Sequence, residues 1–127
     1  SSQSHLLHIP KLDENGLNFI VWKARAKSSF EARGLWKHVE GRVPIPDSLT
    51  ITKEADGSVT YKLKGAAADV EVTQKVIDDF EAKYDEWHQK QALVRAQLFG
   101  SIPNSLLIEI QGLENASRMW DAVCNRF

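Results

Sequence analysis

Four histidines are the first residues here that could do chemistry, because imidazole binds metals and transfers protons near neutral pH. His5 and His8 are three residues apart, which would place two imidazoles on one helix face. No third ligand lies near them in the sequence, and we expect this terminal segment to be flexible. His88 follows a tryptophan directly and His38 comes two residues after one, and both are interpreted as structural or surface histidines.

Carboxylates, one cysteine and the glycines are the other candidates for chemistry. Acidic side chains cluster between residues 69 and 90, but most lie outside the apolar stripe of that segment. This position is typical of solvated surface groups. Cys124 has no partner for a disulfide or a zinc-finger spacing and is interpreted as a small core or near-core residue. The glycines form neither GxGxxG nor GxxxxGK. We therefore predict no enzyme activity, no metal site and no cofactor.

Charge is unevenly distributed, although the formal net charge is only −1. Residues 22–37 hold five basic side chains against Glu31 alone, a local charge of +4, and residues 69–90 hold seven acids against three lysines, which gives −4. Such polarity can steer one copy of a protein toward another, or it can reflect two solvated helix faces. The candidates for contact with a neighbouring acidic helix or with RNA are Lys23, Arg25, Lys27, Arg33 and Lys37.

Length and composition indicate one folded domain. The 127 residues, 43% hydrophobic and 26% charged, can bury an apolar core without disulfides or metal. We expect a flexible terminus at 1–11 and a single helical domain at 12–127. The single cysteine favours a reducing compartment, and we see no membrane span or secretory leader, so a cytoplasmic or nuclear protein is expected.

The first predicted helix covers about residues 19–33 and positions most of the basic side chains. Asn18 is a good N-cap residue, and Gly34 supplies the left-handed backbone that ends a helix. Trp36 follows at once in the stretch "GLWKHVEG", where we expect its ring to fold back over the helix end. Beyond it, "RVPIPDS" favours an extended connection, since two prolines exclude a helix.

The middle of the chain predicts a small β-hairpin near residues 50–62, because β-branched residues flank Asp56 and Gly57. Helical spacing then returns and predicts a long helix over 73–99, stopped by Gly100 and Pro103. Asn104 and Asn115 are predicted to cap two further helices. The fold class is thus mainly α, with about four to five helices and a hairpin insertion.

Apolar residues at helical intervals predict the core of this domain. The sequence places four tryptophans among them, and we expect these rings to lie inside. The predicted core consists of Phe19, Trp22, Phe30, Leu35, Trp36, Phe80, Tyr84, Trp87, Leu98, Met119, Trp120 and Val123.

Leu12, Gly16, Asn18, Phe19 and Trp22 with the stretch 34–41 form one block of the sequence, and residues 87–127 form another. Together the two blocks resemble the Gag polyprotein of copia-type LTR retrotransposons. The first, "LDENGLNFIVWKARAKSSFEARGLWKHVEG", has that family's Leu-x-x-x-Gly-x-Asn-aromatic-x-x-Trp pattern followed by Gly-Leu-Trp-x-x-Val-x-Gly. The second, "WHQKQALVRAQLFGSIPNSLLIEIQGLENASRMWDAVCNRF", has its Trp, Ser-Ile-Pro, Met-Trp-Asp and closing aromatic. The matching positions are Leu12, Gly16, Asn18, Phe19, Trp22, Gly34, Leu35, Trp36, Val39, Gly41, Trp87, Ala92, Ser101, Ile102, Ala116, Met119, Trp120, Asp121 and Phe127.

This resemblance implies the amino-terminal lobe of a capsid-like protein, a helical domain that assembles into shells around RNA. It also implies a further carboxyl-terminal lobe, as does an end at the apolar Phe127. Residues 42–86 do not align with the family pattern, and the zinc knuckle common downstream in such polyproteins is absent from this sequence. Whether the parent gene is a live element or a domesticated host gene stays open.

Three functions remain in view. The first is self-assembly through Gag-Gag contacts into virus-like particles. The second is a domesticated adaptor that binds a peptide or protein partner in a hydrophobic groove bordered by the hairpin and the first helix. The third is weak electrostatic RNA binding through the +4 segment, which lacks the interleaved aromatics of a stacking platform.

Overall fold

The computed structural model describes residues 9–46, 49–53, 55, 59–63 and 74–127, and the fold in these ranges is mainly helical, as predicted. The elements in these ranges are α1 (Phe19–Ala32), α2 (Trp36–Val39), β1 (Leu49–Lys53), β2 (Val59–Leu63), α3 (Gln74–Ser101), α4 (Asn104–Ile110) and α5 (Ala116–Arg126).

The described residues fall into two compact units. The first unit combines residues 9–43 with 90–127, and the second comprises the described part of 44–89. The first therefore holds α1, α2, α4 and α5 together with the last turns of α3. The expectation of one domain over 12–127 stays a prediction.

Two short strands lie in the second unit. Strand β1 pairs antiparallel with β2, in a register that places Leu49 opposite Leu63 and Ile51 opposite Tyr61. They occupy the segment for which the sequence predicts a hairpin. Asp56 and Gly57, the predicted turn residues, lie outside the described residues.

Helix α1 buries one stripe and ends at a glycine, as the sequence predicts. Trp22, Ala26 and Phe30 recur every four residues along the buried side. At the end, Gly34 has φ +70°, its N–H donates to Glu31 O at 3.1 Å, and the Leu35 N–H donates to Phe30 O at 2.8 Å. This is a Schellman motif, whose left-handed position favours glycine.

The predicted asparagine caps differ in outcome. Asn115 caps α5, because its side chain accepts from the Arg118 N–H at 3.0 Å. Asn18 holds the N-cap position of α1, but its side chain makes no cap bond; its amide turns back, accepting from the Asp13 N–H at 2.8 Å and donating to Lys11 O at 2.9 Å. The Asn104 prediction is wrong, since Pro103 holds the cap position and Asn104 begins α4.

Helix α3 is longer than predicted. It runs over 28 residues, from Gln74 to Ser101, and passes through Gly100. The prediction that Gly100 stops this helix is therefore wrong, because a glycine weakens a helix without ending it. Pro103 follows two residues later with extended backbone at ψ 151°, where the next N-cap begins.

Most of the predicted core residues lie inside the molecule. Trp22, Phe30, Leu35, Leu98, Met119, Trp120 and Val123 are buried in the first unit, where Phe19 and Trp36 pack partly buried against them. In the second unit Trp87 is buried and Phe80 is half-buried.

Tyr84 and the amino terminus require corrections. The Tyr84 side chain is exposed although its spacing aligns it with the buried Ile77 and Gln91, and its ring centre lies 4.4 Å from that of His88. The predicted flexible terminus at 1–11 is too long, since Ile9 is buried in the core and Lys11 O accepts the bond from Asn18. His5 and His8 lie outside the described residues.

Candidate functional site

An aromatic cluster forms the centre of the first unit. The Trp120 ring on α5 stacks on Trp22 of α1, with 5.5 Å between ring centres and 25° between planes. Phe30 and Trp36 meet the same ring edge-on, at 6.0 and 5.6 Å. Edge and offset contacts of this kind stabilise aromatic pairs. These rings hold α1, α2 and α5 together, which is a structural role.

The carbonyl oxygen of Ser101 connects three segments. It accepts from the Trp22 indole Nε1–H at 3.1 Å and from the Leu12 backbone N–H at 2.8 Å. The end of α3 leaves this carbonyl without a helical partner, so the two donors satisfy a group that burial would otherwise penalise. The amino-terminal segment and α1 are thereby fixed to the end of α3.

Two glycines permit close approach between distant segments. Gly16 has φ +72°, and a Cβ atom there would overlap the Phe127 ring. Gly41 has φ +74° at the end of α2, and a Cβ atom there would lie 2.8 Å from Ser117 Oγ of α5. Both glycines therefore serve packing as well as backbone conformation.

A buried polar network joins α2, α3 and α5. Gln91 Oε1 accepts from the Ala116 N–H at 2.9 Å, and Gln91 Nε2 lies 3.3 Å from His38 Nδ1. The first bond fixes the orientation of the amide, so Nε2 is the donor and His38 Nδ1 the acceptor. His38 is thus a structural histidine, as predicted. The sequence offered one sign of the network: Gln91 is a polar residue within the apolar stripe of the long helix.

The remaining candidates for chemistry are dispersed. His88 is exposed and packs edge-on against Trp87 and Tyr84. Cys124 is partly buried, and desolvation raises the pKa of its thiol, an effect that nearby Lys23 opposes and Asp121 reinforces. Within the described ranges, no group of three or more His, Cys, Asp or Glu side chains is arranged to hold a metal ion.

Helix α1 carries a second apolar side that faces solvent. Ile20 is 82% exposed, Leu17 just before the helix is 84% exposed, and Val21 is 53% exposed. Helical spacing places Lys23 and Lys27 along one border of this side and Arg25 along the other. We call this surface the α1 outer face; it consists of Leu17, Ile20, Val21 and Ala24 with the border residues Lys23, Arg25 and Lys27, and the exposed Glu31 lies on the same side.

The predicted basic contact residues are all exposed. The Lys27 ammonium lies 5.1 Å from the Trp36 ring centre, and that of Lys23 lies 5.9 Å from the Phe19 ring. With the Gln97 amide oxygen turned toward it, the Arg33 Nε–H donates to Gln97 at 3.0 Å. Lys37 lies on α2. The structure therefore groups Lys23, Arg25 and Lys27 around one apolar surface and places Arg33 and Lys37 beyond it.

Helix α3 carries an acidic counterpart in the second unit. Asp78, Glu81 and Asp85 are exposed, and their spacing of three and four residues aligns them on one side of the helix. Lys83 lies on another side by the same helical geometry, whereas Lys75, three residues before Asp78, lies at the border of this one. We call Asp78, Glu81 and Asp85 the α3 acidic face.

Comparison of the chain with protein-family models, curated proteins and solved structures finds no match. In the described ranges, no helix has both the length and the apolar character that crossing a bilayer requires.

Proposed function

We propose that this chain is the amino-terminal lobe of a Gag-type, capsid-like protein of copia-type elements, or of a host gene derived from one. In this proposal it is a cytoplasmic assembly module that contributes to virus-like particles around RNA. Its partners are other copies of itself, together with RNA enclosed by the particle.

The contacts between the two resembling sequence blocks carry this proposal. Leu12 and Trp22 of the first block donate to the carbonyl of Ser101 in the second. Trp22 also stacks on Trp120, and Gly16 lies against Phe127. Leu12, Trp22, Ser101 and Trp120, four of the positions that carry the resemblance, thus meet in the interior of the first unit, which is expected if the pattern encodes a shared fold rather than a reaction.

The division between interior and surface also supports an assembly role. The large aromatic rings of the first unit are used for packing, whereas apolar and charged side chains of α1 remain at the surface. A rigid helical unit with such faces can meet copies of itself at fixed angles.

Electron microscopy tests this function directly. The chain is expressed in cells together with its natural flanking sequence, purified, and imaged, while nuclease-protected RNA is measured on the same sample. We expect closed particles that contain protected RNA. Dispersed protein with no protected RNA would contradict the proposal.

The α1 outer face also favours one alternative, an adaptor that binds a peptide or protein partner, because exposed apolar side chains mark binding surfaces. Saturable capture of short peptides by a folded chain that forms no particles would favour the adaptor. Affinity for RNA that falls steeply from low to moderate salt, again without particles, would instead favour electrostatic RNA binding.

A further inference from the structure

We infer that the α1 outer face of one copy binds the α3 acidic face of a second copy, which makes the contact between capsid-like subunits heterologous. This inference rests on the proposed function and specifies the surfaces that would perform it.

The α1 side combines the two features of a weak docking surface. Leu17 and Ile20 each leave more than four-fifths of their side chain in water, with Val21 and Ala24 beside them. Removing these atoms from water supplies a driving force that does not depend on direction. Lys23, Lys27 and Arg25 border the apolar centre on both sides, so an acidic helix laid along it would meet cations at each edge.

The α3 side has the complementary chemistry. Asp78, Glu81 and Asp85 follow one side of the helix, with Lys75 at its border, and Asp78 accepts from Gln74 Nε2 at 2.9 Å. Ala82 is also exposed there, and the exposed ring of Tyr84 lies along one border. A small residue allows close approach of a second helix, and a tyrosine offers an apolar surface with a polar end.

A second copy fits this surface better than RNA. RNA would contact the cations but gain nothing from Ile20 and Val21 at the centre. The α3 acidic face, by contrast, is present on every copy of the chain at equal concentration. Glu31 projects on the same side of α1 and repels an acidic partner at that point, so the contact depends on Lys23, Arg25 and Lys27 outnumbering it.

The contact has a consequence for assembly. It joins two different surfaces, so each copy keeps one face available after its other face is occupied. Repetition of such a contact gives rings when the rotation closes and open arrays when it does not. Few side chains take part on each side, which predicts weak pairwise binding that becomes effective through repetition.

Exchange of charge between the two faces tests the inference. One variant carries Lys23→Glu, Arg25→Glu and Lys27→Glu; the other carries Asp78→Lys, Glu81→Lys and Asp85→Lys. Each variant alone has two faces of like charge, so we expect its self-association constant to weaken at least about tenfold in sedimentation. An equimolar mixture restores complementary faces, and association should return.

Two further variants complete the experiment, one as a control for charge and one as a test of the apolar centre. Glu114→Lys with Asp121→Lys changes exposed charges on and before α5 and should leave association unchanged. Ile20→Ser with Val21→Ser should weaken association without altering its salt dependence. Circular dichroism verifies that every variant is folded, as expected for changes of exposed side chains.

The inference is overturned if either charge variant associates like the parent chain, or if the mixture fails to recover. Loss confined to the α1 variant, with RNA or anionic vesicles bound by the parent chain and by the α3 variant, would assign the face to that ligand instead. Particles that form normally from the charge variants would refute this contact and leave the proposed function intact. A parent protein that never associates would refute both this contact and the proposed function.

Discussion

The indole of Trp22 on α1 stacks on that of Trp120 on α5, with 25° between the ring planes, and its N–H also donates to the carbonyl of Ser101 at the end of α3. One side chain therefore fixes three helices relative to each other. The ring is fully buried, so both the stacking and the hydrogen bond form away from water.

Truncation of Trp120 should be severe. Trp120→Ala removes the ring that contacts Trp22, Phe30 and Trp36, and we expect a loss of about 3–5 kcal/mol in the free energy of unfolding. Ile108→Ala, at a side chain that is 65% exposed, is the control and should change it by less than about 0.5 kcal/mol. Urea denaturation measures both, and a Trp120 variant as stable as the parent would place the ring in an interface instead.

The stability costs of Gly16→Ala and Gly34→Ala distinguish backbone strain from steric overlap. Both have positive φ, so replacement by alanine should cost about 1–2 kcal/mol at either position. Gly34→Ala meets no atom within 4 Å, whereas Gly16→Ala must displace the Phe127 ring and its contact with Phe19. Gly16→Ala should therefore cost about 1 kcal/mol more. In a Phe127→Ala background that excess should disappear; equal costs for the two glycines in the parent would refute the overlap.

The two asparagines before α4 and α5 should respond differently. Asn115→Ala removes an acceptor for the Arg118 N–H and should cost about 1 kcal/mol. Asn104→Ala replaces a residue inside α4 with a better helix former and should be neutral within about 0.5 kcal/mol. Thermal unfolding of both variants checks this, and comparable losses would contradict the cap assignment.

Gln91 should be more important to stability than an ordinary surface glutamine. Gln91→Leu leaves the Ala116 N–H buried without its acceptor and His38 Nδ1 without that donor, which should cost about 1–3 kcal/mol. Gln111→Leu changes an exposed position and is the matched control. Chemical denaturation that gives equal midpoints for the two variants would exclude the network.

Cys124 should make stability sensitive to alkaline pH. Desolvation raises the pKa of its thiol in the folded chain, so the thiolate forms more readily in the unfolded chain. The contribution of the neutral thiol is therefore complete below the pKa of the unfolded chain and is lost as the pH rises through the folded pKa. Stability of the parent should fall more than that of Cys124→Ala over this alkaline range; parallel curves would contradict the shift.

Local features of this fold are readable from the sequence. Gly34 ends α1 because the left-handed backbone at that position favours glycine whatever surrounds it. The buried stripe of α1 can also be predicted from the sequence, since it depends only on the spacing of the apolar residues. The same reasoning fails for the side chain of Asn18, which holds the N-cap position while its amide binds the preceding loop, and at Gly100, where the helix continues through a residue of low propensity.

Long-range relationships are not readable in that way. The bond between Gln91 and His38 joins residues 53 positions apart in the chain, and only the tertiary fold brings them together. The predicted contact surface is also incomplete, because the sequence groups five basic residues only by their proximity in the chain. The apolar centre between Lys23, Lys27 and Arg25 becomes visible only once the buried side of α1 is known.

The central claim is that the chain acts by weak, repeated self-association and not by catalysing a reaction. Sedimentation velocity of the isolated chain over a wide concentration range tests this claim most directly. We expect a monomer or weak dimer at low micromolar concentration, and larger species that grow reversibly as concentration rises. A tight, closed oligomer at low micromolar concentration, or a strict monomer at every concentration, would contradict an assembly module built on weak, repeated contacts.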